Sequence, residues 1–399
     1  MNRDSGSVLF RSQMGQLLFL TSIFFLNFIS RIIFSPLMPA IEKEIGISHV
    51  DAGSLFLVIS IGYFVALLGS GFVSSILTHK KTIIISAMIL GLSLLEISLC
   101  DNLWGIRLGL LCLGMGAGLY LPSGIATLTS IISSKHWGKA IAVHELAPNL
   151  SFVLAPLIAE AFLACCSWRF ALRFIGILSI LLSIAFARWG KGEKLRGQPP
   201  GFRSFRTLFM IPSFWFMMLL FSLGISGTLG IYTMLPLYLI SEHGIDRNWA
   251  NTLLALSRIS GLWMAFLSGW SADRLGPKRT IGAVLLLTGI MTLLLGIASS
   301  SSIVVLVFLQ PVIAVCFFPP AFALLSLIGP LETRNVAVSL TVPAAFLFGG
   351  GIIPIIIGIM GDSGAFSLGV SIVGGLILAG FFLSFLLKYN EQEKSLVSD

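Results

Sequence analysis

The sequence predicts an all-helical membrane protein in which about twelve transmembrane helices form two similar six-helix halves. Three observations predict it. Hydrophobic residues fill 56% of the 399 positions and charged residues only 11%, against roughly 25% charged in a typical soluble domain. Mean hydropathy is +0.98, and apolar runs long enough to cross a bilayer recur along the chain. The second half also repeats the first at a constant spacing.

A span needs about 20 predominantly apolar residues. That rule places six helices at 14–40, 52–77, 82–100, 103–132, 138–163 and 168–188, and six more at 212–240, 249–270, 280–298, 302–328, 336–360 and 367–388. The first run lacks a small-residue cleavage site and is expected to be a retained helix rather than a signal peptide. Between the sets lies a polar, basic stretch from Arg188 to Arg206 containing Gln198-Pro199-Pro200-Gly201. The expected domains are an N-terminal half at 1–190, a cytoplasmic basic linker at 191–211, and a C-terminal half at 212–399 with a short polar tail. No alternating ten-residue segments run through the chain, as a barrel would require. The 31 Phe and 41 Gly suit a lipid-facing exterior with close helix contacts.

The formal charge of +8 is a topology signal. With both termini in the cytoplasm, inside segments carry 18 Lys and Arg against 5 outside (Lys43, Arg107, Arg169, Arg173 and Arg247). That bias fits an inner (plasma) membrane protein and argues against nucleic acid as a partner. The five cysteines show no metal-ligand spacing and are expected to be packing residues. Neither a cofactor nor a metal is expected. No Walker-type phosphate loop is present, so ATP drive is not indicated.

The repeat is specific. Ile47 and Ile245, Ala52 and Ala250, Leu55 and Leu253, Gly71 and Gly269, and Pro122 and Pro320 are each 198 residues apart. Apolar composition alone would not align glycines and prolines over some 75 residues. Repeated halves in a helical membrane protein point to a site near the bilayer midplane.

The loop after the eighth span reads Gly269-Trp270-Ser271-Ala272-Asp273-Arg274-Leu275-Gly276-Pro277-Lys278-Arg279. It resembles the signature cytoplasmic loop of the major facilitator superfamily, Gly-x-x-x-Asp-Arg-x-Gly followed by basic residues. With twelve spans, a basic linker and repeated halves, the resemblance covers essentially the whole chain. It implies the fold of that superfamily and transport by alternating access, with Asp273 and Arg274 as candidate gating residues. In the first copy Ser75 replaces the Asp and Thr78 the second Gly. The loop is either a charged latch or a tight positive-inside turn. Gly114 to Pro122 resembles the family's glycine-rich fourth-helix segment. Ala147-Pro148 and Ala155-Pro156 lack the glycines of its antiporter-associated motif.

Charged residues deep in a span are costly and usually face a bundle interior or a water-filled path. Arg31 lies past the midpoint of the first span, in Asn27-Phe28-Ile29-Ser30-Arg31. That segment resembles members moving organic anions and organophosphates, which implies that Arg31 contacts an anionic substrate; Ser30 stands where some proton-coupled relatives carry Asp. The alternative is a structural arginine bonded to helix carbonyls. Arg258 lies 11 residues before Gly269, roughly 16 Å along a helix, and a guanidinium meets carboxylate, phosphate or sulfonate with paired hydrogen bonds.

Glu145 sits about 12 Å above Trp137 by the same rise, at a depth near that of Arg258. The superfamily resemblance implies that their helices are neighbours. A Glu145–Arg258 pair that opens and closes would let the carboxyl take up a proton, and His144 could share that role. A permanent structural pair is the other possibility. Glu96 is expected to be interfacial. Asn27, Tyr63, Tyr120, Asn149, Tyr232 and Gln310 are candidate cavity-lining groups, although each alone is more often a helix–helix hydrogen bond.

The expected function is proton-coupled symport of a small organic anion; the alternative is a drug or metabolite efflux carrier. Two buried arginines argue against cationic cargo. An enzyme is not expected: His144-Glu145 lacks the second His of a zinc motif, and no midplane Asp is present. The expected partners are an anionic small molecule, protons and the lipid bilayer.

Overall fold

A computed structural model describes residues 4–192, 196–197, 202–328 and 334–387. Gln198-Pro199-Pro200-Gly201, Lys194 and the tail from Lys388 lie outside the described residues. All elements among the described residues are helical. The chain divides into two compact units, Met1–Ile47 with Val58–Pro199, and Ser48–Leu57 with Pro200–Asp399.

The first unit is built from α1 (Asp4–Ile32), α2 (Phe34–Ile45), most of α3 (His49–Leu77), α4 (His79–Ile97), α5 (Leu103–Ile131), α6 (Trp137–His144), α7 (Leu146–Cys165) and α8 (Trp168–Trp189). The second comprises the start of α3, then α9 (Phe202–Phe209), α10 (Pro212–Ile225), a π-helical turn at Ser226–Gly230, and α11 (Ile231–Ser241). It continues with α12 (Arg247–Ser257), α13 (Gly261–Leu275), α14 (Pro277–Gly296), α15 (Ile303–Ala314), α16 (Phe318–Leu325) and α17 (Arg334–Ala345). A second π turn at Phe346–Ile352 leads into α18 (Ile353–Asp362), and α19 (Phe366–Phe385) ends the unit.

Ten of these helical stretches are long and apolar enough to cross a membrane. The expected third span is α4, whose ends carry Lys80, Lys81 and Glu96 around a short apolar middle. The expected eighth span is not continuous: it breaks at 258–260 into α12 and α13. The expected fifth also breaks, at Glu145 between α6 and α7.

Local chemistry explains several boundaries. Asn102 caps α5 by accepting the Gly105 N–H at 2.8 Å, and Asp246 caps α12 by accepting from Asn248 at 2.9 Å. The signature loop turns at Gly276, with φ 86° and ψ 146°, and Pro277 opens α14. The matching residue of the first repeat, Thr78, adopts φ 89° and ψ 152°. That region is essentially reserved for glycine and costs about 1–3 kcal/mol for other residues. The first copy thus keeps the turn of the second while holding a β-branched residue in it.

Inside the first unit α3 and α5 pack backbone to backbone. A Cβ on Gly114 would lie 2.2 Å from the Ile59 carbonyl oxygen, and one on Gly62 would lie 2.3 Å from that of Leu111. Small residues permit this approach. The glycine-rich stretch is therefore a packing surface.

At one end of the unit Arg169 ties three segments together. It donates to Asp101 Oδ1 at 2.7 Å, Glu44 Oε1 at 3.0 Å and the Cys100 carbonyl at 2.6 Å, while Trp168 Nε1 donates to Glu44 Oε2 at 2.7 Å. Burial, then the Glu96 carboxylate, push the Cys100 thiol up to about 11. Glu96 itself is exposed, as expected of an interfacial residue. The cysteines depart from expectation: Cys112, Cys165 and Cys166 are exposed, and Cys316 alone is buried. Exposed Leu, Ile and Phe along α5 and α8 form the outward face that lipid would cover.

Candidate functional site

Each unit contains one arginine seated on a tyrosine. In the first, Arg31 belongs to the last turn of α1 and is 8% exposed. Its guanidinium carbon lies 4.6 Å from the centre of the Tyr63 ring and 4.8 Å from that of Phe28. In the second, Arg258 terminates α12, and its guanidinium carbon lies 4.7 Å from the Tyr232 ring. Both tyrosines are buried. Such contacts are worth roughly 2 kcal/mol or more when desolvated. Arg258 also stands at a helix C-terminus, where the last carbonyls present partial negative charge. Ring faces in both units help a cation reside in an apolar interior.

The seats differ in backbone. Arg31 precedes a one-residue interruption at Ile33, across which helical hydrogen bonding continues. Arg258 lies at a full break, and its Nη2 donates to the Thr228 carbonyl at 2.9 Å. Thr228 belongs to the first π turn, and Gln310 Nε2 donates to the neighbouring Gly227 carbonyl at 2.7 Å. The two π turns touch: a Cβ on Gly349 would lie 2.6 Å from the Ser226 nitrogen, and one on Gly230 would lie 2.5 Å from the Gly349 oxygen. π turns interrupt the regular ladder and recur at functional sites. No periodicity in the sequence marked them.

The other expected residues fall into place unevenly. Asn27 donates to the Ala117 carbonyl at 3.1 Å, tying α1 to α5, and Ser30 turns back onto the Asn27 carbonyl. Tyr63 joins Arg31, and Tyr232 joins Arg258. Tyr120 places its hydroxyl 2.8 Å from the Leu20 carbonyl and 3.0 Å from His144 Nε2. Asn149, half-buried, donates to the Glu145 carbonyl at 3.0 Å. Gln310 is buried, its amide shared between Gly227 and Thr292. Asn27, Tyr120 and Gln310 are therefore engaged as helix–helix hydrogen bonds. Asp273 and Arg274 are exposed on α13, the arginine 4.4 Å over the Trp270 ring.

His144 and Glu145 straddle the α6–α7 break. The His144 side chain is wholly buried, whereas that of Glu145 is 51% exposed, and the two approach to 3.5 Å. Glu145 stands at the N-terminus of α7, the pole that favours a carboxylate. Phe24, which the sequence did not single out, stacks on the imidazole at 4.3 Å.

Comparison with known proteins assigns the family. The model of the Major Facilitator Superfamily matches residues 20–270 and 248–398. The chain belongs to this superfamily. It is 25% identical to a probable L-galactonate transporter of Escherichia coli over 64% of this chain, and that match spans 60% of the relative's length. It is 24% identical to the 4-hydroxybenzoate transporter PcaK of Pseudomonas putida, over 75% of this chain and 76% of the relative. A fungal relative, the aspyridones efflux protein apdF of Emericella nidulans, is 27% identical over 57% of this chain and 47% of its own. A solved bacterial homologue of the human lysosomal transporter Spinster shares the fold, with a TM-score of 0.76 at 16% identity, covering 94% of this chain and 95% of the other. The protein is a multi-pass membrane protein of this superfamily.

Proposed function

We propose that the protein moves a small organic anion across the plasma membrane by alternating access, in symport with protons. The observation that carries this reading is Arg31, buried within the first span and flanked by the faces of Phe28 and Tyr63. A guanidinium keeps its charge at any physiological pH, and a fixed positive charge in an apolar interior favours an anion. Two relatives carry organic-acid names, galactonate and 4-hydroxybenzoate. Arg258 is the second cation, and exchanging its Thr228 carbonyl for a substrate oxygen is the simplest change at its seat. Glu145 and His144 are assigned to proton coupling. Both termini are assigned to the cytoplasm on the 18-to-5 charge bias.

Uptake into proteoliposomes of galactonate, 4-hydroxybenzoate, and a panel of sulfonates and phosphates, with and without an inward proton gradient, tests this. The expected result is gradient-driven accumulation of at least one anion, lost in Arg31→Ala. Uptake indifferent to that substitution would remove Arg31 from the site. The efflux relative supports a second reading, extrusion of an amphipathic metabolite. Export of uncharged amphipaths without uptake of any anion would favour it.

A further inference from the structure

His144 is 0% exposed, and its hydrogen bonding fixes which ring nitrogen carries the proton. The Tyr120 hydroxyl lies 2.8 Å from the Leu20 carbonyl oxygen and 3.0 Å from His144 Nε2. A carbonyl only accepts, so the one phenolic hydrogen goes to Leu20. The phenolic oxygen is then left to accept, and Nε2 must be the N–H that donates to it. In the neutral ring Nδ1 therefore carries a bare lone pair. That atom is buried and has no hydrogen-bond partner among the described residues. It lies 3.5 Å from Glu145 Oε1, on a side chain about half open to the surroundings.

We propose that Nδ1 of His144 is the atom that binds the coupled proton, with Tyr120 holding the tautomer that presents it and the Glu145 carboxylate receiving the new N–H. The inference rests on the proton-symport reading and names the group within it. Protonation forms one N–H bond and adds one positive charge, which the Glu145 anion offsets at once. The Tyr120 bond is not disturbed, because Nε2 keeps its hydrogen. Phe24, parallel to the imidazole within 8° at 4.3 Å, offers its ring face to the cation.

The groups facing His144 are few. α5 brings Tyr120, the α6–α7 junction brings Glu145, and α1 brings Phe24 and the Leu20 carbonyl. Lys135 and His136, in the turn before α6, stand at the other end of that helix.

Histidine-selective 15N NMR of the purified full chain tests the proposal directly. The chain has five histidines, and loss of one signal in His144→Gln assigns the residue. The four remaining signals, unchanged, certify the variant as folded. The expected pattern at high pH is a protonated Nε2 and a bare Nδ1, with Nδ1 gaining a proton as the pH is lowered while Nε2 stays protonated. Tyr120→Phe should release the second tautomer. A protonated Nδ1 at high pH, or a His144 signal that never titrates, would overturn the proposal.

In proteoliposomes, accumulation of galactonate or 4-hydroxybenzoate under a proton gradient should fall at least about tenfold in His144→Gln. Wild-type accumulation by that variant would overturn the proposal as well. Failure of the wild type to carry any anion would instead sink the transport reading, leaving the NMR result to decide the proton site.

Discussion

Arg31 and Arg258 each sit on a buried tyrosine of their own unit, yet the two units build these seats in reverse. The first unit draws its arginine from the first span and its tyrosine from the second. The second draws its tyrosine from the first span and its arginine from the second. The partners are not related by the 198-residue register: the position matching Arg258 is Ser60. The shared feature is chemical rather than ancestral. Each half buries one cation against an aromatic face. Backbone makes the difference. Arg31 sits on a nearly continuous helix between two ring faces, while Arg258 ties a broken helix to a π turn and so doubles as a structural brace.

The largest test of that contrast is Arg31 itself. Arg31→Lys keeps the charge but loses the planar fork, and charge-assisted contacts are worth about 1.5–3 kcal/mol. Apparent affinity for the transported anion should weaken by roughly 10- to 100-fold, read as KM of uptake, with the thermal midpoint little changed. Arg258→Lys should do the opposite in emphasis, lowering the midpoint as well as uptake, since the Thr228 carbonyl loses a well-placed donor. Equal thermal shifts for the two would erase the distinction.

The next effect tests the brace from its other side. Gln310→Leu leaves the buried Gly227 carbonyl without its 2.7 Å partner, at a cost of about 1–3 kcal/mol. It should destabilise the protein without altering KM; a changed KM with no loss of stability would place Gln310 in the substrate path. Smaller again is Thr78→Gly. Replacing a threonine held at φ 89° by the residue its repeat partner uses should raise stability by about 1 kcal/mol. A neutral or destabilising result would mean that the Thr78 side chain repays its strain.

Much of the fold was legible in the sequence. The apolar runs, the repeat and the signature loop led to the superfamily, and Arg31 and Arg258 stood out because charge within a span is rare. Geometry was less legible, for physical reasons. Helices apolar all round carry no stripe to say which face turns inward. Tyr63 and Tyr120 therefore looked alike, although one lies beneath a guanidinium and the other bonds a histidine. The break at 258–260 left no trace in Arg258-Ile259-Ser260, which holds neither proline nor glycine, whereas Pro148, with no N–H to bond the His144 carbonyl, stood in view beside the break at Glu145. The π turns were hardly more legible, since glycines such as Gly227 and Gly349-Gly350-Gly351 weaken a regular helix without saying how its ladder will be interrupted.

The Gly227 and Thr228 carbonyls each accept a hydrogen bond from a side chain of another helix. A regular helix can be retuned only by remodelling its whole ladder. This joint can be loosened or stiffened by a single codon at position 258 or 310, with the surrounding architecture untouched. A lineage adapting such a carrier to a new cargo would find its adjusting screws there, outside the Arg31 seat of the first unit.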